Sequence, residues 1–193
     1  MEVDESDVQK LRKALSALPE QVANPVLVVV SGLPGTGKSH FSRKLAERLP
    51  CVIVESDALR KKLFNVPDYS ASESHRLFNA CHRLIEELLD NGITAVVDAT
   101  NLVEHHRERL YLIAERLEVK LIIVYVKAPQ ELVRHRLESR LAGAESEDNS
   151  DADWRVYQKM RTKAQSIRRN HFTLDTSRDI TPVIDKIVRE AKR

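Results

Sequence analysis

The chain has 193 residues, of which 42% are hydrophobic and 31% are charged, a balance typical of one globular domain with a core large enough to need no disulfide. No apolar run approaches the roughly 20 residues of a membrane span, the acidic first residues do not fit a secretion signal, and a net charge of +2 does not by itself indicate a nucleic-acid partner. The two cysteines, Cys51 and Cys81, lie in apolar segments, so we expect buried, reduced thiols and a cytoplasmic protein.

Helical and strand-like segments alternate along the sequence. Apolar residues at helical spacing predict a first helix over residues 6–18, which Pro19 would end. The five predicted strands cover residues 26–30, 51–54, 93–97, 121–126 and 172–175. The later predicted helices cover 38–49, a short segment ending at 64, a long segment from a capping box at Ser70 and Glu73 to about 91, 103–117, 130–141, a segment capped by Asp153, and a last one beginning at Thr181. This alternation predicts an α/β fold with a parallel sheet, in one domain spanning residues 1–193, whose ligands bind at the carboxyl ends of the strands.

A glycine-rich loop follows the first predicted strand. The segment Gly32-Leu33-Pro34-Gly35-Thr36-Gly37-Lys38-Ser39 fits the phosphate-binding pattern G-x-x-x-x-G-K-[ST]. Glycine lets several backbone N–H groups reach one phosphate, and the helix that begins near Lys38 directs its positive dipole end at the same anion. In this pattern Lys38 neutralises the β- and γ-phosphates of ATP, and the Ser39 hydroxyl binds magnesium. A GTPase would also carry an Asn-Lys-x-Asp motif, which the sequence lacks.

Two acids follow predicted strands and would therefore lie near the phosphate loop. Asp57 follows the second strand, and Arg60 lies three residues further on the same face of a helix. The carboxylate could take the proton of an attacking hydroxyl while Arg60 holds an anionic group of the acceptor. Alternatively, Asp57 caps the helix and Arg60 is a surface residue. Asp98 ends the third strand, where it could assist magnesium or its water shell, or simply begin a loop.

Charged residues are concentrated after the fourth predicted strand. Arg136 and Arg140 share one helix face, and from a helical lid over about residues 130–153 they could neutralise the transferring phosphate, or they could simply be solvated. Residues 145–153 then contain five acids and no base, and residues 154–170 contain six bases and no acid. The basic segment is either a solvated helix face or a basic wall that faces phosphates.

Together these motifs resemble those of the polynucleotide 5′-kinase branch of P-loop kinases, an AAA-type ATP-binding group typified by the phage polynucleotide kinase domain. The similarity spans about residues 26–176. Beyond the glycine loop it rests on Glu-Ser-Asp-Ala-Leu-Arg at 55–60, Val-Val-Asp-Ala-Thr-Asn-Leu at 96–102, Glu-Leu-Val-Arg-His-Arg-Leu-Glu-Ser-Arg at 131–140, Trp-Arg-Val-Tyr at 154–157 and Asp-Thr-Ser at 175–177. The resemblance implies a three-layer P-loop NTPase fold with a five-stranded parallel sheet in the order 2-3-1-4-5 and a helical lid. It extends to zeta-toxin-like sugar-nucleotide kinases and to chloramphenicol phosphotransferase, which have small acceptors.

The resemblance also implies a role for each matching residue. Asp57 would be the general base, Arg60, Thr100 and Asn101 would contact the acceptor, and Arg140 would reach from the lid towards the transferring phosphate. Magnesium would be held by Ser39 and Asp98. The residues implied to bind ATP are Gly32, Gly35, Thr36, Gly37, Lys38, Ser39, His40, Arg136 and Arg140.

We therefore predict an enzyme that uses ATP and Mg²⁺ to phosphorylate a hydroxyl group, with the 5′-hydroxyl of RNA or DNA as the first candidate acceptor. A small-molecule kinase with a sugar-nucleotide, nucleoside or antibiotic-like acceptor is the alternative, because the P-loop and Asp57 alone do not select the substrate. A non-catalytic nucleotide-binding regulator is the third hypothesis. The motifs indicate no membrane and no obligate protein partner. Phe64, Tyr69 and Phe78 lie near the acceptor motif, where they could stack on a base or pack in the core.

Overall fold

Five parallel strands form the centre of the molecule. The computed structural model describes residues 4–15, 17–141 and 150–193, with only the backbone of residue 141. The strands are β1 (Val26–Ser31), β2 (Val52–Glu55), β3 (Ala95–Asp98), β4 (Lys120–Lys127) and β5 (Phe172–Asp175). They lie in the order β2-β3-β1-β4-β5, and every pairing is parallel. The predicted sheet is therefore confirmed, and all six residues of the central strand β1 are buried.

The helices flank this sheet on both faces. In the described residues they are α1 (Glu5–Ala14), α2 (Lys38–Ala46), α3 (Ser56–Leu63), α4 (Ala71–Asp90), α5 (Glu104–Arg116), α6 (Gln130–Leu141), α7 (Trp154–Arg161) and α8 (Thr181–Ala191). The first helix is shorter than the predicted 6–18, because Leu15 takes an extended conformation with ψ of 148° and packs against the core. The second helix, α2, ends at Ala46 rather than at 49, and residues 47–48 form a turn. The predicted cap of α7 is confirmed, since the Asp153 carboxylate accepts from the Val156 backbone N–H at 2.8 Å.

The central strand divides the core into two faces, because successive side chains of a strand point in opposite directions. Leu27 and Val29 pack with α1, α3, α4 and α5, whereas Val28 and Val30 pack with α2 and α8. This arrangement gives the three predicted layers. A smaller apolar cluster, centred on Leu137 of α6 and Tyr157 of α7, joins the helix of the lid region to the helix that follows it.

The start of α4 differs in detail from the predicted capping box. The Ser70 hydroxyl accepts from the Glu73 backbone N–H at 3.2 Å, as expected for the N-cap. The Glu73 carboxylate, however, accepts from the backbone N–H groups of Asp68 and Tyr69, at 2.8 and 3.2 Å, and pairs with Arg60. Glu73 therefore connects the loop before α4 to α3 instead of completing the box.

The structure can be compared with the predictions made for the cysteines and for a membrane span. Both cysteines are free thiols, but Cys51 is only partly buried. Burial raises the pKa of Cys51 to about 11 and that of Cys81 to about 12. Within the described ranges, no helix has the length and apolar character that crossing a membrane requires.

Candidate active site

The glycine loop connects β1 to α2 and depends on glycine in two ways. Gly35 has φ of 74° and Gly37 has φ of 90°, values that residues with side chains rarely adopt. Gly32 is required for close packing, because a Cβ atom there would lie 2.4 Å from the Val126 carbonyl oxygen of β4. The glycines thus allow the loop to curve as a phosphate-binding loop requires and to contact the sheet directly.

The loop lysine lies close to a buried acid from the neighbouring strand. Lys38 begins α2, and its ammonium group donates to the Leu33 carbonyl at 3.1 Å. Asp98 ends β3 and is only 3% exposed. Burial raises the pKa of Asp98, while the charge of Lys38 and the hydroxyl groups of Ser39 and Ser42 act in the opposite direction. The predicted cation, hydroxyl and carboxylate are therefore brought together.

Ser39 and Asp98 fit a magnesium site. The Asp98 Oδ2 atom is buried and has no hydrogen-bond partner among the described residues, so it could serve as a ligand. Mg²⁺ prefers oxygen ligands and commonly takes one or two from the protein, together with waters and substrate phosphates. In the described part of the chain, no group of three or more His, Cys, Asp or Glu side chains is placed to hold a metal ion. Magnesium here would therefore depend on the nucleotide phosphates.

A cleft of about 1400 Å³ runs from the glycine loop to α3 and the loop before α4. The predicted site residues that line it are Gly35, Gly37, Lys38, Ser39, His40, Asp57, Arg60, Asp98, Thr100, Arg136 and Arg140. Gly32, Thr36 and Asn101 do not line it. Most of the predicted residues therefore share one cavity.

Asp57 does not cap α3. The N-cap residue is Glu55, and no side chain caps this helix end. Asp57 lies in the first turn, partly buried, and its carboxylate makes no hydrogen bond or ion pair with any described residue. The interpretation of Asp57 as a helix cap is therefore wrong. A carboxylate with unused acceptor capacity lies in the cleft.

Arg60 is neither a surface cation nor a side chain that simply extends towards the acceptor. It is 5% exposed, forms an ion pair with Glu73 and donates to the Ser74 hydroxyl at 3.3 Å. Its guanidinium carbon lies 4.7 Å from the centroid of the Tyr69 ring. Arg60 lines the cleft, but much of its guanidinium is bound to α4, because a buried charge requires such partners.

Asn101, a predicted acceptor contact, bonds the end of the neighbouring strand β1. Its φ is 44°, and its side-chain amide donates to the Val30 carbonyl at 2.8 Å. Its own carbonyl accepts from the Ser31 hydroxyl at 3.0 Å and from the fully buried Arg107 at 2.7 Å. Asn101 therefore fixes the loop after β3 to the end of β1, while its neighbour Thr100 lines the cleft.

The lid helix α6 reaches the glycine loop through Arg136. This guanidinium donates to the Thr176 hydroxyl at 2.9 Å, to the Thr176 carbonyl at 3.2 Å and to the Gly35 carbonyl at 3.4 Å. The Thr176 hydroxyl in turn donates to the Thr36 carbonyl at 2.7 Å. Sequence reasoning assigned no role to Thr176; the signal that could have found it is its place directly after β5, at the carboxyl edge of the sheet. His40 lies nearby, and burial with the surrounding cations lowers its pKa.

The C-terminal part of the lid region contacts the opposite side of the cleft. Arg140 donates to the Ser150 carbonyl at 3.5 Å. Asp151 accepts from the Lys61 ammonium at 3.0 Å and from the Tyr69 hydroxyl at 2.8 Å. The predicted acids at 145, 147 and 148 lie outside the described residues. The part of the acidic segment that is described thus contacts α3 and the loop before α4.

The basic segment lies mainly on the surface. Arg155 and Lys159 are exposed, and Arg169 pairs with Glu115 of α5. The buried residue of α7 is Tyr157, which packs against α6. These observations favour a solvated helix face over a basic wall that faces phosphates.

Comparison with known proteins identifies the family. Residues 27–167, which include the glycine loop and the cleft residues from α2 to α7, match the sequence profile of a family described as an AAA domain. The chain belongs to this AAA domain family. It is also 31% identical to the L-seryl-tRNA(Sec) kinase of Methanococcus maripaludis over 116 residues, which are 58% of this chain and 44% of that protein. The match thus covers less than half of that relative's length.

Solved structures share the fold of this AAA domain. Chaetomium thermophilum Kti12 in complex with ADP-AlF3 has a TM-score of 0.68 and 22% identity, covering 83% of this chain and 96% of that chain. The Mycobacterium tuberculosis APS kinase CysC in complex with AMPPNP and APS has a TM-score of 0.65 and 17% identity, covering 88% of this chain and 99% of that chain. At these identities the likeness shows the fold alone.

Proposed function

We propose that this AAA domain protein is a phosphotransferase that uses ATP and Mg²⁺ and moves the γ-phosphoryl group to a hydroxyl group. The observation that carries the proposal is the Asp57 carboxylate, which shares a cleft with Lys38 and has no hydrogen bond or ion pair with the described residues. A general base requires a carboxylate that is free to accept the hydroxyl proton. The match to L-seryl-tRNA(Sec) kinase supports the same class of reaction.

Each group of cleft residues has its own role in the proposed reaction. The glycine loop and Lys38 bind the phosphates of ATP. Asp57 orients the acceptor hydroxyl and takes its proton as the new O–P bond forms; the bond from the γ-phosphorus to the β–γ bridging oxygen breaks, and ADP leaves. Ser39 and Asp98 would hold Mg²⁺, which supplies positive charge beside the β- and γ-phosphates. Arg140 would neutralise the charge that moves onto the leaving oxygen.

For the acceptor, we propose the 5′-hydroxyl of RNA or DNA as the first candidate. The name of the methanococcal relative specifies a seryl group carried by tRNA, which is an acceptor on RNA but not its 5′-hydroxyl. Arg60 lines the cleft and could add a contact to an acceptor phosphate. One observation favours the small-molecule alternative: the Arg60–Glu73 pair occupies much of the guanidinium that a nucleic-acid phosphate would need.

The test is an acceptor panel with γ-labelled ATP. It contains 5′-hydroxyl RNA and DNA oligonucleotides, nucleosides, sugars and amino alcohols, and it is run on wild type, Lys38→Ala and Asp57→Asn. Asp185→Asn, on α8 and outside the cleft lining, is the matched control for loss of an acid. We expect label on one acceptor class with wild type and the control, and strongly reduced label with the other two variants. ATP binding without any labelled acceptor would contradict the proposal and favour the nucleotide-binding regulator.

A further inference from the structure

The loop before α4 presents Tyr69 to the acceptor end of the cleft in an unusual backbone conformation. Tyr69 has φ of 55°, in the left-handed region that a bulky residue rarely occupies. Its backbone N–H donates to the Glu73 carboxylate, which also pairs with Arg60. A conformation of this kind persists only where the surroundings fix it, and such positions are concentrated at ligand sites.

The Tyr69 side chain is fixed at two points. The buried Arg60 guanidinium lies against the ring, at 4.7 Å from its centroid. The hydroxyl donates to Asp151 Oδ2 at 2.8 Å, and the other oxygen of Asp151 accepts from Lys61 at 3.0 Å. Because Asp151 lies in the lid region and Arg60 belongs to α3, the ring is held between the lid side and the acceptor side of the cleft.

Tyr69 nevertheless lines the cleft and is not fully covered by these contacts. Tyr69 is 47% exposed and lines the cleft together with Asp57 and Phe78. Burial, the hydrogen bond to Asp151 and the charges of Asp151 and Asp57 raise the pKa of Tyr69. An aromatic surface that is already fixed loses little side-chain entropy when a ligand binds to it.

Tyr69 is the accessible one of the three aromatic residues near the acceptor motif. Phe64 packs against the core, with the Arg76 guanidinium 5.5 Å from its ring centroid. Phe78 lines the cleft, but its ring also stacks with His82 at 6.5 Å between centroids. The open planar surface at this end of the cleft is therefore that of Tyr69.

We propose that Tyr69 is a stacking platform for a nucleobase-like, planar group of the acceptor, and that Asp151 is the positioning residue that orients it. The inference rests on the proposed phosphotransfer and names its substrate class, a nucleoside or nucleotide rather than a sugar or an amino alcohol. Base–aromatic stacking tolerates any base because every base has a planar face. The platform therefore selects for the presence of a base and not for its identity.

The experiment compares acceptors that differ only in the base. Nucleosides and nucleoside 3′-monophosphates are tested against the corresponding methyl ribosides, with γ-labelled ATP. Tyr69→Asn removes the ring, and asparagine tolerates the left-handed conformation. Tyr69→Phe keeps the ring and loses the bond to Asp151, which Asp151→Asn weakens from the other side. Val66→Ala is the matched control, because Val66 lies in the same loop, is 85% exposed and does not line the cleft.

We expect wild type and Val66→Ala to prefer the base-containing acceptors in kcat/KM. Tyr69→Asn should lower kcat/KM for these acceptors about 5- to 150-fold, the scale of one aromatic–base stack, and leave the methyl ribosides unchanged. Tyr69→Phe and Asp151→Asn should raise the KM for the base-containing acceptors by less than this and leave kcat unchanged, as expected of a positioning effect.

The remaining outcomes distinguish failure of the platform from failure of the phosphotransferase. Phosphorylation of sugars or amino alcohols, with no preference for a base, would overturn the platform and uphold the phosphotransferase. An equal loss on both acceptor sets in Tyr69→Asn would also overturn it, and thermal unfolding would show whether that loss is one of fold. No label on any acceptor, with ATP binding intact, would contradict the phosphotransferase and the platform together.

Discussion

The Arg136 guanidinium donates a hydrogen bond to the Thr176 hydroxyl at 2.9 Å, and this hydroxyl in turn donates to the Thr36 carbonyl at 2.7 Å. A second guanidinium nitrogen donates to the Thr176 carbonyl at 3.2 Å. The lid helix, the loop after β5 and the glycine loop are thus connected by one chain of hydrogen bonds. We therefore expect the conformation of the glycine loop to depend on the position of α6.

Thr176→Val removes the central hydroxyl of this chain and keeps the shape of the side chain. We expect ATP binding to weaken by up to about 30-fold, because two hydrogen bonds are lost and each typically contributes about 1 kcal/mol. Isothermal titration calorimetry with a non-hydrolysable ATP analogue measures the change. Thr162→Val is the control, since in the described part of the chain its exposed hydroxyl bonds the Lys159 carbonyl, outside the cleft. Equal affinities for the two variants would show that the link does not support the nucleotide site.

Arg140→Ala should lower kcat more than it weakens ATP binding, because a cation that reaches the transferring phosphate matters most where charge develops. The control is Arg134→Ala on the same helix, whose exposed guanidinium pairs with Glu138 and does not line the cleft. Steady-state kinetics and direct binding of ATP separate the two effects. A change confined to the KM for ATP would make Arg140 a contact of the bound nucleotide and not of the transition state.

The stability of the fold should depend on pH through His82. Burial, followed by the charges of Arg109 and His106, lowers the pKa of His82 to about 4 from 6.5. Between these two values the unfolded chain binds a proton at this site and the folded chain does not, so the free energy of unfolding decreases as the pH falls through this window. The loss is at most about 3 kcal/mol at low pH, from the size of the shift.

Urea unfolding at pH 7 and at pH 4.5 tests this dependence. His82→Leu should show a smaller decrease between the two pH values than wild type. The control His105→Gln changes a histidine whose side chain is 74% exposed, and it should retain the wild-type decrease. A profile of His82→Leu that matches wild type would assign the acid sensitivity to other groups.

The fold could be predicted from local patterns because its strands and loops carry strong signals. The buried run of β1, followed by the glycine loop and Lys38, indicated the central strand and the nucleotide site, and Asp98 was predicted at the end of β3. What could not be predicted are contacts between distant segments. Arg60 pairs with Glu73 on another helix, and Asn101 bonds Val30, which is 71 residues away. A local pattern contains no information on such partners.

The position of Asp57 is a second feature that the sequence alone could not determine. An aspartate just after a strand and at the start of a helix usually caps that helix, and the sequence alone leaves this interpretation open. In the fold, Glu55 occupies the cap position, so Asp57 lies inside the first turn and lines the cleft. The residue at which α3 begins depends on where β2 leaves the sheet. This position decides whether Asp57 caps the helix or lines the cleft.

Asp57→Asn tests the chemical role directly. A hydroxyl is a poor nucleophile at neutral pH, and its proton must leave as the bond to phosphorus forms. Asparagine keeps the size and much of the hydrogen bonding of aspartate but cannot take a proton. We expect the variant to keep its thermal stability and ATP affinity, while the rate of phosphoryl transfer falls roughly a hundredfold or more, the usual scale for loss of a general base.

Single-turnover kinetics at saturating ATP and acceptor isolate that chemical step from binding and product release. Asp185→Asn serves as the control for removal of a negative charge outside the cleft. A merely electrostatic role of Asp57 would make the loss depend strongly on salt, because exposed charges are screened, whereas a missing base leaves a loss that salt does not restore. A wild-type rate in Asp57→Asn would place the acceptor hydroxyl beyond the reach of this carboxylate, since no proton would then be transferred to it.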